Sequence, residues 1–261
     1  MKVAMMQPTF LPWQGYFELI YQSEQFIMLD DFQFSVQSYH QRNRLFVNKG
    51  RVGWYSVPIR KSVSFGAALN QTLINEDIPW RLKMWKRIQQ NYSRAPYYAQ
   101  ISPSVEGWLF NPVESLAALN MAFIRWVCGM IGFERNFVLS SQFSSDAQRS
   151  ERVAELLRLN HGDHYYCARG SFDYMRDEGL FPLVSVEVSF QDFKPTPYPQ
   201  VGSGNGFIPY LSVLDALFNI GPQETARLIR NGTKHWTTWD EMNAISKKQG
   251  TGPGNEARNI R

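Results

Sequence analysis

Apolar residues in this chain come first as short runs and later as runs alternating with helical stripes. Val3 to Met6 is an apolar run closed by Gln7 and Pro8, which predicts a buried strand ending in a loop, with a helix over Gln14 to Gln22 behind it. Gln25 to Leu29 is a second run. It delivers Asp30 and Asp31 to the carboxyl end of a strand, where open α/β sheets bind ligands. Gly53 to Ile59 predicts a further strand, with Pro58 near its end. Asp77 and Pro79 suit the start of a helix whose Ile78, Leu82, Trp85 and Ile88 recur at near-helical spacing as far as Tyr92. Ser115 can cap a long helix with the stripe Leu116, Leu119, Phe123, Trp126, Val127 and Met130, and Gly132 stops it.

From there the two periods alternate. Phe137 to Leu139, His164 to Ala168 and Val184 to Phe190 read as strands, separated by helices over Ala147 to Asn160 and Phe172 to Glu178. Strands separated by helices predict an α/β fold with a mainly parallel, Rossmann-like sheet flanked by helices. Lys194 to Gly206 is a Pro- and Gly-rich loop, followed by a helix from Leu211 that ends near Gly221 and another over Gln223 to Arg230. Residues 1–231 thus read as one α/β domain. Residues 232–261 are polar and Gly-rich, with Trp236, Trp239, Met242 and Ile245 as apolar anchors, which predicts a loosely held tail.

Composition mainly excludes. The chain is 44% apolar and 15% aromatic, ample for a core. Two cysteines cannot build a disulfide framework, and neither has Cys or His partners at zinc spacing. His161, Asp163 and His164 lack a third well-spaced ligand, so no structural metal is expected. The N-terminus has no signal-peptide core, which makes the cytoplasm the expected compartment. Leu116 to Phe133 is interrupted by Asn120 and Arg125 and falls short of the roughly 18 to 20 apolar residues of a membrane span. The chain has no Lys/Arg run of nucleic-acid type and no reader motif, so nucleic acid is not an expected partner.

Charge changes the picture more. The 44 residues from Phe32 to Asn75 contain no acid, yet hold Arg42, Arg44, Lys49, Arg51, Arg60 and Lys61. A basic region of this kind attracts phosphate or carboxylate ligands; the competing reading is a solvated face. Arg42 and Arg44 lie two apart, so on a strand both guanidinium forks share a face suited to pyrophosphate or carboxylate, and Asn43 points the other way. Asp31, with Gln33 two residues on, would face the same pocket. A carboxylate there orients an amine or hydroxyl or accepts its proton, unless it is spent in an ion pair with Arg42 or Arg44. His40, nearest the arginine pair, is the candidate proton shuttle.

Gln7 sits at the mouth where the Gln14 helix starts, with Trp13 and Tyr16 placed to pack or to stack on a ligand ring. Lys83 can complete an anion site from its helix and Trp80 can stack on a base, against the plainer roles of solvated charge and core. Gly202 to Gly206 is not a G-x-G-x-x-G phosphate loop and reads as a lid or a slack loop. Cys167 and Ser171 stand where a nucleophile can sit, beside the simpler roles of buried packing and helix cap.

Gln7-Pro8-Thr9-Phe10-Leu11-Pro12-Trp13-Gln14-Gly15-Tyr16-Phe17, then Leu29-Asp30-Asp31-Phe32-Gln33-Phe34, Arg42-Asn43-Arg44, and Trp54 to Pro58-Ile59 resemble, in that order, the WbqC-like family. Further landmarks are Trp80 with Lys83, Tyr92 with Pro96-Tyr97, Ser140-Ser141, Arg152, the segment of Gly170, Ser171 and Tyr174, Tyr198 with Gln200, and Phe207 through Ser212, Asp215 and Gly221. The likeness spans about residues 1 to 221. It implies a place in bacterial surface polysaccharide (O-antigen) assembly and acyl or aminoacyl transfer onto amino sugars. It also selects Asp31 as the pocket carboxylate and adds Asn43, Ser171, Tyr174 and Gln200 to the substrate-binding candidates. The opening shares a frame with Rossmann-like nucleotidylyltransferases as well, but Trp13 and Tyr16 stand where those enzymes carry histidines.

The expectation is a transferase that holds a phosphorylated ligand, a nucleotide-linked amino sugar, while Asp31 or His40 helps deprotonate the amine for attack on an activated acyl group. The residues name neither a cofactor nor the acyl donor. Two alternatives stay open: a non-catalytic scaffold of a polysaccharide assembly complex, and a nucleotide-dependent ligase or nucleotidylyltransferase-like enzyme.

Overall fold

Alternate residues of the first strand, β1 (Lys2–Met6), belong to different cores: Val3 and Met5 to one, Ala4 to the other. The computed structural model describes residues 1–48, 50–204 and 206–250. After β1 come α1 (Gln14–Gln22), β2 (Gln25–Met28), β3 (Arg42–Asn48), β4 (Arg51–Ser56), a short α2 (Lys61–Ser64), α3 (Trp80–Tyr92), α4 (Tyr98–Phe110) and α5 (Leu116–Ile131). The second half runs β5 (Asn136–Leu139), α6 (Arg149–Leu159), β6 (His164–Ala168), α7 (Phe172–Asp177), β7 (Glu187–Gln191), α8 (Val213–Arg230), β8 (Thr237–Thr238) and α9 (Trp239–Gly250).

The main sheet has the order β5-β2-β1-β6-β7-β8, parallel throughout except for β8 at the edge. Its parallel strands therefore lie as third, second, first, fourth and fifth in chain order, the Rossmann arrangement, which switches direction between β1 and β6. One face is covered by Phe17 of α1, Phe123 of α5 and Phe218 of α8, the other by Leu156 of α6, Phe172 of α7 and Met242 of α9. The hairpin β3-β4 pairs only with itself and packs with the first core.

Local signals hold where they are strong. Ser115 Oγ accepts the Ala118 N–H at 3.1 Å, and Gly132 ends α5 at φ 70°. Gly221, at φ 76°, kinks α8, and the Tyr97 ring lies so close over it that an added Cβ would sit 2.5 Å from that ring. Helix α4 is one that periodicity did not announce. Pro103 lies inside it, and tertiary contact secures it: Trp108 stacks near Phe123 and donates to the Leu119 carbonyl at 3.0 Å.

The stretch from 232 departs from the expected loose tail as far as Gly250. Glu18 of α1, fully buried, accepts the Thr233 N–H at 2.6 Å and the Gln191 amide at 2.8 Å, and β8 then pairs with β7. Trp239 and Met242 are buried in the second core. Residues 251–261 lie outside the described residues.

A second buried carboxylate joins the hairpin, two helices and the Pro/Gly-rich loop. Asp215 Oδ1 accepts from Tyr92 Oη at 2.9 Å, and Oδ2 accepts from Tyr198 Oη and the Gln200 amide, both at 2.7 Å. Tyr92 Oη in turn accepts the Phe46 N–H at 3.2 Å. Burial pushes the Asp215 carboxyl above its ordinary range, so these donors are what keep it tolerable inside. Asp215→Ala strands three buried donors; we expect a loss of about 3 kcal/mol, read by calorimetry as a fall in Tm of roughly 10 °C.

Candidate functional site

The loop that leaves β1 has no regular structure of its own, yet it is pinned. Asn43, buried on β3, donates to the Phe10 and Leu11 carbonyls at 3.1 and 2.8 Å. Asn120, buried on α5, donates to the Pro8 and His40 carbonyls at 2.9 and 2.8 Å. Gly15 is required in this loop's exit because the Trp13 ring folds over it, 2.2 Å from where a Cβ would stand.

Three cavities meet at the carboxyl ends of the strands beside this loop. The first, about 580 Å³, lies at the switch between β1 and β6 and is lined by Met6, Gln7, Phe32, Arg149, Ser171 and Tyr174 among others. The second, about 720 Å³, is lined by Asp31, Phe32, Gln33, Arg149 and Arg152. The third, about 320 Å³, is walled by Trp13, Tyr16, Tyr39 and Tyr210, with Thr9 and Arg44. The first shares Phe32 and Arg149 with the second and Met6 with the third, so together they form one crevice. A shallow depression at Lys2, Glu24 and Arg135 lies at the opposite end of the strands, away from this chemistry.

The arginine pair divides. Arg44 lines the aromatic cavity, while Arg42 lies with its guanidinium carbon 4.3 Å above the Trp54 ring and lines none of the three. Among the described residues neither has a carboxylate within salt-bridge distance, and the Nε atom of each is buried without a partner. Asn43, expected to bind substrate, is among the residues that line the aromatic cavity, but its amide donates to the loop and its oxygen accepts the Arg44 N–H.

The aspartates divide too. Asp30 is buried and accepts from Ser141 N, Ser141 Oγ and Asn70. Asp31 stays 29% exposed in the second cavity, and its ionic partner is Arg152, at 3.2 Å, rather than Arg42 or Arg44. Ser140 Oγ donates to its other oxygen. Arg152 is itself locked by Glu155 and by the Ser140 and Phe143 carbonyls.

His40, expected as a proton shuttle, is buried with both ring nitrogens engaged by neighbouring groups. Its Nδ1 accepts the Ser35 N–H at 3.2 Å, which leaves the proton on Nε2, and Nε2 meets Gln7 Oε1 at 2.8 Å. Gln7 therefore turns its amide nitrogen, not its oxygen, toward the crevice. Burial lowers the His40 pKa from 6.5 to about 4.

Other expected residues fall away from the crevice. Trp80 is buried in the core, donating to Glu76 at 3.2 Å, and Lys83 stands exposed on α3 outside the three cavities. Gln200 is consumed by Asp215 and by both backbone groups of Ile208. Burial raises both thiols, Cys128 to about 12, which makes them packing residues. Ser171 lines the first cavity without capping α7. Of the Gly202–Gly206 loop, Asn205 lies outside the described residues.

The profile of the WbqC-like protein family matches residues 7–227, from the pinned loop to the last turn of α8. The chain belongs to the WbqC-like family. It is also 30% identical, over 224 residues, to a Mycobacterium tuberculosis protein called "Uncharacterized protein Rv1507c", covering 85% of this chain and 95% of that relative. No solved structure matches significantly. The WbqC-like span contains all the crevice residues except Met6 and Met5, and it stops before β8 and α9. Within it, sequence reasoning missed Arg149 and Tyr210 as crevice residues. Both hold a left-handed backbone that their side chains disfavour, φ 50° and 60°, and nothing in the local sequence announces it.

Because folding lowers the His40 pKa, the unfolded chain takes up this proton first as pH falls. Stability from neutral His40 is thus complete above about pH 6.5 and is lost as pH drops to about 4, by on the order of 3 kcal/mol. His40→Gln should flatten this part of the pH dependence, measured by urea unfolding at pH 7 and pH 5.

Proposed function

We propose that this WbqC-like protein is a transferase of surface-polysaccharide assembly that passes an acyl or aminoacyl group to the amine of a nucleotide-linked amino sugar. The observation that carries the reading is the contrast between the two ends of the crevice: at one, Arg44 without a carboxylate partner among the described residues, and at the other the Asp31 carboxylate, paired with Arg152 and beside Arg149. An extended ligand with a negative group and an amine, joined by apolar and ring surfaces, fits that order.

In this mechanism Arg44 grips the negative group with paired N–H donors, and Trp13 and Tyr210, in edge contact with each other, offer one wall to the attached ring. The Gln7 amide donates to an oxygen at the junction, held in place by His40. Asp31 accepts a hydrogen bond from the amine, kept in register by Arg152 and Ser140. The amine nitrogen bonds to the acyl carbon, the bond to the donor's leaving group breaks, and the amine proton departs through Asp31 to solvent. Holding both reactants in one crevice supplies much of the acceleration.

Calorimetry with a nucleoside-diphosphate amino sugar tests this. Arg44→Ala should cost about 1.5–3 kcal/mol, roughly a 10- to 100-fold loss of affinity, while Lys83→Ala leaves it unchanged. Absence of binding to the wild-type protein, or equal binding by Arg44→Ala, would remove the proposal.

A further inference from the structure

The turn that borders the crevice has its polarity inside out. In α2, Ser64 is fully buried and its Oγ accepts the Leu73 N–H at 3.1 Å, while Val63 and Phe65 on either side are 55% and 86% exposed. A turn that needed only to be soluble would expose the serine and bury the phenylalanine. Gly66, at φ 77°, follows directly and lines the second cavity.

The same face continues across neighbouring segments. Phe34 N–H donates to the Ala67 carbonyl at 2.9 Å and Gln33 bridges Ala68, which ties the loop of residues 33–40 to this turn. On its other side that loop meets the hairpin through Tyr39 against Trp54, ring centres 5.8 Å apart, and Gln41 against Val57. Val36, Tyr39 and Trp54 are exposed there as well. The cations among them are Arg60 and Lys61, both exposed, and Arg42 stacked on Trp54; Arg51, also exposed, lies farther along β4 at the hairpin turn. Arg60 has a 3.8 Å contact with exposed Asp77; Arg51 and Lys61 have no carboxylate within salt-bridge distance among the described residues. Not one acid occurs between residues 32 and 75.

We infer that this face docks on an anionic lipid surface, with Phe65 and Val63 entering the interface and Lys61 and Arg60 meeting the headgroups. Exposed apolar tips flanked by exposed cations are the pattern by which peripheral proteins bind such surfaces. The exposed turn fits a deformable interface better than a pre-formed apolar groove, and the exposed cations select a negative one. Docking so would set the crevice mouth against the bilayer, since Gln33, Gly66 and Ala68 line one cavity and Tyr39 another.

Flotation of the full chain with vesicles tests this, comparing phosphatidylglycerol-containing with pure phosphatidylcholine vesicles at low and high salt. The wild-type protein should float only with the anionic vesicles and be released by salt. Val63→Ser with Phe65→Ser should lower the bound fraction roughly tenfold, and Lys61→Glu should lower it too, with circular dichroism and ligand calorimetry unchanged. Equal flotation with both lipids, flotation unaffected by these substitutions, or binding of a single-stranded oligonucleotide but not of vesicles would overturn the inference. Calorimetry of the soluble ligand is independent of these results and judges the crevice separately.

Discussion

Two buried side-chain amides, those of Asn43 and Asn120, hold this site together. Between them they donate to four carbonyls, at Pro8, Phe10, Leu11 and His40, all in irregular backbone with no ladder to satisfy it. A buried carbonyl without a partner costs of order 1–3 kcal/mol, so the loop has one stable course past the tip of β1 and little reason to leave it. Because Asn43 must face inward to make these bonds, strand alternation sends Arg42 and Arg44 to the other side. The clamp that fixes the loop thereby aims the guanidinium.

What Arg44 then lacks is as important as where it points. Several buried charges elsewhere are matched: Arg152 by Asp31 and Glu155, Asp30 by Ser141 and Asn70, Glu18 by Thr233 and Gln191, Asp215 by two tyrosines and a glutamine. Arg42 and Arg44 are left without a carboxylate among the described residues because the surrounding sequence offers no acid, and of the two only Arg44 lines the crevice. The aromatic walls beside Arg44 place apolar surface next to its charge, which reduces the screening of an interaction with an incoming negative group.

Much of the fold was legible in the sequence. Short apolar runs gave the inner strands, and their alternation with helical stripes gave a parallel sheet, because those patterns reflect burial on two faces. The hidden parts depend on distant partners. Glu18 and Thr233 are 215 positions apart, so their bond could not be read from a polar, glycine-rich tail. Asp31 finds Arg152 across 121 positions, where the nearer arginines looked the natural choice. Trp54, directly across the hairpin from Arg44 and diagonal to Arg42, captures the latter by stacking, a cross-strand event that spacing within β3 cannot reveal. His40 stood out by its type, but its bonds to the Ser35 N–H and to Gln7, 33 positions away, could not be read from the sequence.

In the proposed function, scaffold and chemistry fall to different residues than type alone suggests: asparagines, buried carboxylates and a histidine shape the crevice, and a few groups at its two ends would meet the ligand. Side-chain NMR of the arginine Nε–H groups, during titration with a nucleoside-diphosphate amino sugar, tests this assignment most directly. The account predicts a large, saturable shift of the Arg44 signal, with the locked Arg152 signal nearly still. A ligand that binds while Arg44 does not respond would contradict it.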